Sequence, residues 1–230
     1  MKKIYAAIHL MFFIILANAI SLGQSSTKNH LVLLANPLEI PVSSLEVCDN
    51  KVGNVLATLA SQYKVPIGVE VQLEKYDVEP QNAACLTVKN GTIRSVLKAI
   101  TTLFPNYEWK ETNGVINITY KNGLEEKNPL LDAVINHFEV NQASIDDIKS
   151  IILQKSEVQA NLNNSGFEVH EPALLPQLNY DTSSKFSFAM DNKSVREILN
   201  YIIGNTRNKY WSAVRWGEYK DKKYLWIIIW

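Results

Sequence analysis

The stretch LEVCDNKVGNVLATLA, Leu45–Ala60, returns in outline as FEVNQASIDDIKSIIL, Phe138–Leu153. An apolar residue, Glu and Val open both. Five residues after that Val, Val52 matches Ile145, and then Val55 matches Ile148. A second pair follows in the same order: LTVKNGTIRSVLKAI, Leu86–Ile100, against FAMDNKSVREILNYI, Phe188–Ile202. There Asn90 matches Asn192, Thr92 matches Ser194, Arg94 matches Arg196 and Leu97 matches Leu199. Each copy then reaches an aromatic strand, at Tyr107 and at Tyr210. Each ends on an apolar one, Val115–Tyr120 and Leu225–Trp230. Self-similarity in fixed order is the mark of a repeated structural unit. It confines the chain to folds in which one arrangement is built twice.

We expect two tandem modules, 41–121 and 134–230, joined by a linker at 122–133. Polar residues with Gly123 and Pro129 suit a boundary there. In the first module Ser43–Cys48 reads as a strand. Val52, Val55, Leu56 and Leu59 form one apolar helical stripe over 50–63. Pro66 cannot sit inside that helix. Ile67–Leu73 and Ala84–Lys89 read as strands. Thr92 is an N-cap candidate for a second helix, with Ile93, Val96, Leu97 and Ile100 on its buried face. Ser194 and Glu197 stand at capping-box spacing in the second copy. Asn113-Gly114 is a hairpin turn between two last strands. The order is β-α-β-β-α-β-β in each module. The fold class is α+β, with helices packed on one face of a small mixed sheet.

Ahead of the repeats lies an export signal. Lys2 and Lys3 precede an apolar run from Ile4 to about Leu16, and Ala17-Asn18-Ala19 supplies small residues for cleavage. We expect a signal peptide at 1–19, with a cut near Gln24 as the alternative, and a leader at 20–40. The apolar run is too short for a comfortable membrane span. We expect a periplasmic or secreted protein with no transmembrane segment after signal removal. The formal net charge is +0, and losing Lys2 and Lys3 takes it to about −2. No basic excess is left to attract nucleic acid. Cys48 and Cys85 read first as a disulfide in an oxidising compartment, with two buried thiols or a redox pair as the other readings. No CxxC spacing supports redox chemistry. The bridge would close a loop of about 38 residues, worth roughly 4 kcal/mol by chain entropy.

The pattern from Leu45 to Ile118 resembles the secretin and TonB short N-terminal domain. Gln62, Leu86-Thr87-Val88, Asn90 and Leu97 fill that family's characteristic packing positions. The second copy follows more loosely. The resemblance implies a module without catalytic residues or cofactors that docks other proteins in the bacterial envelope. A barrel or secretin domain usually accompanies such a module; we expect here either a free-standing adaptor or a likeness of shape alone.

The residues themselves offer little catalytic chemistry. His30, His137 and His170 are scattered. Glu168 and His170 share a strand face, but the bland reading is a solvated loop. No nucleophile elbow and no Gly-rich phosphate loop occurs. Asp146 and Asp147 suit a first helical turn. The sequons at Asn90, Asn117, Asn163 and Asn192 are explained by turn and cap chemistry. We expect no enzyme and no metal.

What distinguishes the second copy is its apolar surface. An insertion at 165–184 carries Phe167, Leu174, Leu175, Leu178 and Tyr180. In the first copy Asn117 and Thr119 are expected to face water, opposite Ile116 and Ile118. Their counterparts are Trp226, Ile228 and Trp230, joined by Tyr210 and Trp216. Large aromatics are rarely left wet without cause. The candidate partner-binding residues are therefore Tyr210, Trp211, Trp216, Tyr224, Trp226, Trp230, Phe167, Leu174 and Leu175. The covers open to this face are the insertion, the first module or a second copy, and an outside ligand. We expect an exported docking protein with an envelope partner or self-association. The alternative is a carbohydrate or peptidoglycan binder stacking glycans on Trp211, Trp216, Trp226 and Trp230.

Overall fold

The helix stripes and capping signals become helices at the places the pattern marks. The computed structural model describes residues 36–49, 51–73, 84–121, 128–169, 184–207, 209–219 and 222–229. Of 72, 73, 84, 216–219 and 222 it describes the backbone alone. The expected signal peptide, most of the leader, His170, Leu174, Leu175 and Trp230 lie outside these residues. Among the described residues, five α-helices and ten strands form a mixed α/β arrangement. In the first half, β1 (Pro41–Asp49), α1 (Val52–Tyr63), β2 (Ile67–Leu73), β3 (Ala84–Thr92), α2 (Ile93–Leu103), β4 (Tyr107–Thr112) and β5 (Val115–Tyr120) follow one another. The second half runs β6 (Val134–Ala143), α3 (Ile145–Gln154), α4 (Ser156–Ser165), β7 (Phe167–Val169), β8 (Phe186–Ser194), α5 (Val195–Asn205), β9 (Tyr210–Tyr219) and β10 (Lys222–Ile229).

Local chemistry fixes the helix ends. The Thr92 hydroxyl accepts from the Ser95 amide, and the Ser194 hydroxyl from the Glu197 amide, each within a reciprocal capping box. Ser144 and Asp147 form a third. Helices α1 and α4 both end on a left-handed residue, Lys64 (φ 55°) and Gly166 (φ 68°). The hairpin turn at Asn113-Gly114 takes positive φ at both positions, as that turn type requires.

The sheets do not divide as one per module. β1 pairs with β3, and β6 with β8, as two-stranded antiparallel layers. The remaining strands form one six-stranded sheet in the order β4-β5-β2-β9-β10-β7. Its middle is the parallel pair β2–β9, in register from Ile67 opposite Tyr210 to Leu73 opposite Trp216. The two halves thus share one sheet, within one compact unit.

Adjacent strand residues point to opposite faces, and the two halves use opposite faces. Ile67, Val69, Ile116, Ile118 and Tyr210 pack in one core with α1, α2 and the inner side of β1–β3. Val115, Trp211, Ala213, Leu225, Ile227 and Ile229 pack in another with α3, α4, α5 and β6. Helices therefore lie on both faces of the large sheet, not on one. Each helical layer is itself sandwiched between that sheet and a two-stranded layer.

This explains where Asn117 goes. It is 7% exposed rather than facing water, because α5 lies over it. Asn117 Nδ2 donates to the Val115 carbonyl at 3.3 Å. Asn200 Nδ2 on α5 donates to Asn117 Oδ1 at 3.1 Å, and Trp211 Nε1 donates to Asn200 Oδ1 at 2.9 Å. The indole reaches α5 by lying across Gly68, its direct partner in the β2–β9 register. A Cβ at Gly68 would fall 2.2 Å from Trp211 Cε2 and Cζ2.

Two boundaries also move. Asn36-Pro37-Leu38 and Asn128-Pro129-Leu130 are a repeat that the modules at 41 and 134 leave out. Leu38, Leu130, Leu131 and Ala133 are buried. The Asn36 side chain accepts from the Leu38 amide, and Asn128 Oδ1 from the amides of Leu130 and Leu131. The last residues assigned to the leader and to the linker are parts of the two cores.

Gly68→Ala should destabilise the protein by about 2–3 kcal/mol, since a close-packed indole must shift to admit the methyl. A urea midpoint equal to that of the parent protein would contradict this role for Gly68.

Candidate docking surface

Cys48 and Cys85 stand directly opposite in the β1–β3 register and are joined by a disulfide with a Cα–Cα distance of 4.0 Å. Both are exposed, so the bridge staples the outer layer.

The candidate aromatic residues separate by strand phase. Tyr210 is 1% exposed and Trp211 0%. Tyr210 belongs to the first half's core, where its hydroxyl donates to the Gly53 carbonyl of α1 at 3.2 Å. Burial holds the phenol far above its ordinary range. Trp211 packs in the second half's own core, the place Tyr107 takes in the first. The β9 residue in phase with Tyr107 is therefore Trp211, not Tyr210. Neither Tyr210 nor Trp211 offers a surface to a partner, and a glycan cannot stack on Trp211. Phe167 is also core, 9% exposed, with Lys223 Nζ 5.5 Å above its ring.

Tyr224, Trp226 and Ile228 fall on one face of β10, and all three are half-buried. The register carries Val214 and Ser212 of β9 beside Trp226 and Ile228. With Tyr210, of the same phase, they are buried, so the first half supplies cover as far as β9. Over β10 the aromatic row keeps part of its surface. Trp216 belongs to the same phase, opposite Tyr224, and its side chain lies outside the described residues. The positions that correspond to Trp226 and Ile228 are Asn117, buried under α5, and Thr119. A smaller aromatic patch lies near β8, where the Phe188 and Tyr201 rings stand 4.9 Å apart and Tyr201 is 41% exposed.

Polar clusters hold the frame. Glu70 of β2 accepts from Arg196 of α5 and, at 3.2 Å, from Asn128 Nδ2. Arg196 Nη2 also donates to Asp132 Oδ1 at 3.1 Å. The Arg196 and Glu70 side chains keep 23% and 14% of their surface. Burial alone would lower the guanidinium's proton affinity, but the two carboxylates raise it overall. The matching Arg94 bonds Glu39 at 2.6 Å in the open. Spacing aligned the two arginines but could not show which of them is enclosed.

His137 lies within β6, its Nδ1 2.6 Å from Asp191 Oδ1 and its Nε2 3.5 Å from Glu139 Oε2. Hydrogen bonding to Asp191 first, then to Glu139, lifts its pKa above the ordinary 6.5. Among the described residues no group of three His, Cys, Asp or Glu is placed to hold a metal ion. No helix among them is long and apolar enough to cross a membrane.

Arg196→Ala should cost about 2 kcal/mol, below the range for fully enclosed pairs, because Glu70 is left without its cation. Arg94→Ala should change stability by less than about 0.5 kcal/mol. Equal losses at the two sites would refute the distinction. His137 should titrate above 6.5 by NMR. A folded-state pKa raised in this way adds stability below the unfolded value and loses it as pH rises through the folded one. Asp191→Asn should bring the midpoint down, and an unmoved midpoint would deny the pair its role.

Compared with protein-family models, curated proteins and solved structures, the chain matches none.

Proposed function

We propose that the chain is an exported, non-enzymatic docking protein of the bacterial envelope, built from two tandem modules that resemble the secretin and TonB short N-terminal domain. The single observation that carries this reading is the row Tyr224, Trp226 and Ile228. It is apolar, continuous along one strand face and half-exposed. The corresponding place in the first half holds Asn117, Thr119 and the overlying helix α5. Binding energy concentrates in aromatic residues of this kind once a partner desolvates them. The repeated element order and the matching helix caps at Thr92 and Ser194 support the modular part of the reading. The disulfide supports an oxidising compartment.

The test is affinity capture from native envelope extract with the mature chain and with Trp226→Ala, both shown to be folded by near-UV circular dichroism. A protein captured by the parent chain should bind the variant at least about tenfold more weakly, a hot-spot-sized loss. Equal capture by the two chains would remove this face from the proposal.

A further inference from the structure

Strand β4 is one margin of the six-stranded sheet. Among the described residues no strand pairs with its outer side. Proteins usually blunt such an edge with charged side chains, proline, a bulge or extreme shortness. β4 has six residues, no proline, and an unbroken register with β5 from Tyr107 opposite Tyr120 to Thr112 opposite Val115; its charges, Glu108, Lys110 and Glu111, are of both signs.

The phase of its hydrogen bonds follows from one contact. The Lys121 amide donates to the Asn106 carbonyl at 2.7 Å. Antiparallel bonding alternates along a strand, so residues 108, 110 and 112 turn their backbone groups toward β5. Trp109 and Glu111 turn theirs outward. The side chains alternate too. Trp109 is half-buried against the first half's core, while Glu108 and Lys110 are exposed on the opposite face. Neither is in an ion pair among the described residues.

We propose that two copies of this chain join edge to edge through β4, antiparallel, with Trp109 of each copy opposite Trp109 of the other. Charge selects this register. Centring the pair on residue 108 would set Glu108 against Glu108. Centring it on residue 110 would set Lys110 against Lys110. Centring it on Trp109 sets each copy's Glu108 opposite the other's Lys110, and the two-fold axis makes that pair twice. In the same register the outward amide and carbonyl of each Trp109 meet those of the other, the reciprocal bonding that an antiparallel pair requires. The contact uses the same surface on both copies, so it closes at two. It is independent of the aromatic row on β10, which β5, β2 and β9 separate from β4.

Sedimentation velocity on the mature chain, up to about 100 µM so that micromolar association is saturated, reads the outcome directly. The parent chain should sediment as a dimer at the upper concentrations. Glu108→Lys and Lys110→Glu each place like charges opposite one another at both symmetry-related positions, and each should raise the dissociation constant at least about tenfold. The double variant carrying both changes restores opposite charges and should dimerise again. These positions are exposed, and circular dichroism of each variant guards against misfolding. A monomer at every concentration overturns the proposal. So does a dimer that single reversals leave unchanged, or one that the double reversal fails to restore.

Discussion

The rest of the molecule depends on the parallel pairing of β2 with β9. Parallel strands are stable where both faces are covered. β2 meets that condition because helices of the first half cover one of its faces and α5 of the second half the other. It is parallel to β5 on one side and to β9 on the other. Without β9 the first half would present an open edge, and without α5 the uncovered polar groups of Glu70 and Asn117. Without β2, Trp211 would lose the glycine surface on which it lies. The two halves complete each other through the centre of the sheet.

Matching positions consequently carry different chemistry. Asn117 and Asn200 bridge the halves by side-chain hydrogen bonds, and a buried amide is tolerated only when paired in this way. Arg196 reaches from α5 to Glu70 on β2, while Arg94 meets Glu39 at the surface. A repeated sequence has been used once as an outer part and once as a clasp.

Much of this architecture can be read in the residues. The apolar stripe at Val52, Val55, Leu56 and Leu59, the caps at Thr92 and Ser194 and the turn at Asn113-Gly114 are local signals, and local structure follows them. The distant pairing of β2 with β9 is not local. Periodicity states which side chains share a face but not which strand lies alongside. Asn117 therefore reads as a water-facing residue until α5 is set over it. Tyr210 and Trp211 show the same limit within the candidate site. Both are aromatic and adjacent, and only the register decides that they enter different cores and leave Trp226 at the surface. The small motif at Asn36 and Asn128 repeats in the residues, but its tight turns lie before β1 and before β6, where apolar periodicity carries no signal.

The place of β2 at the centre of the sheet also sets an order of events. Its neighbour β5 follows within about fifty residues, but β9 comes much later in the chain. Until Tyr210–Tyr219 arrives, one side of β2 has no strand to bond. Such distant closure is slow, and an unsatisfied strand edge is the part of a nascent chain most open to wrong association. The central sheet is thus completed only once β9, well over a hundred residues after β2, has been made. It is a strand of the second half, β9, that makes the first half whole.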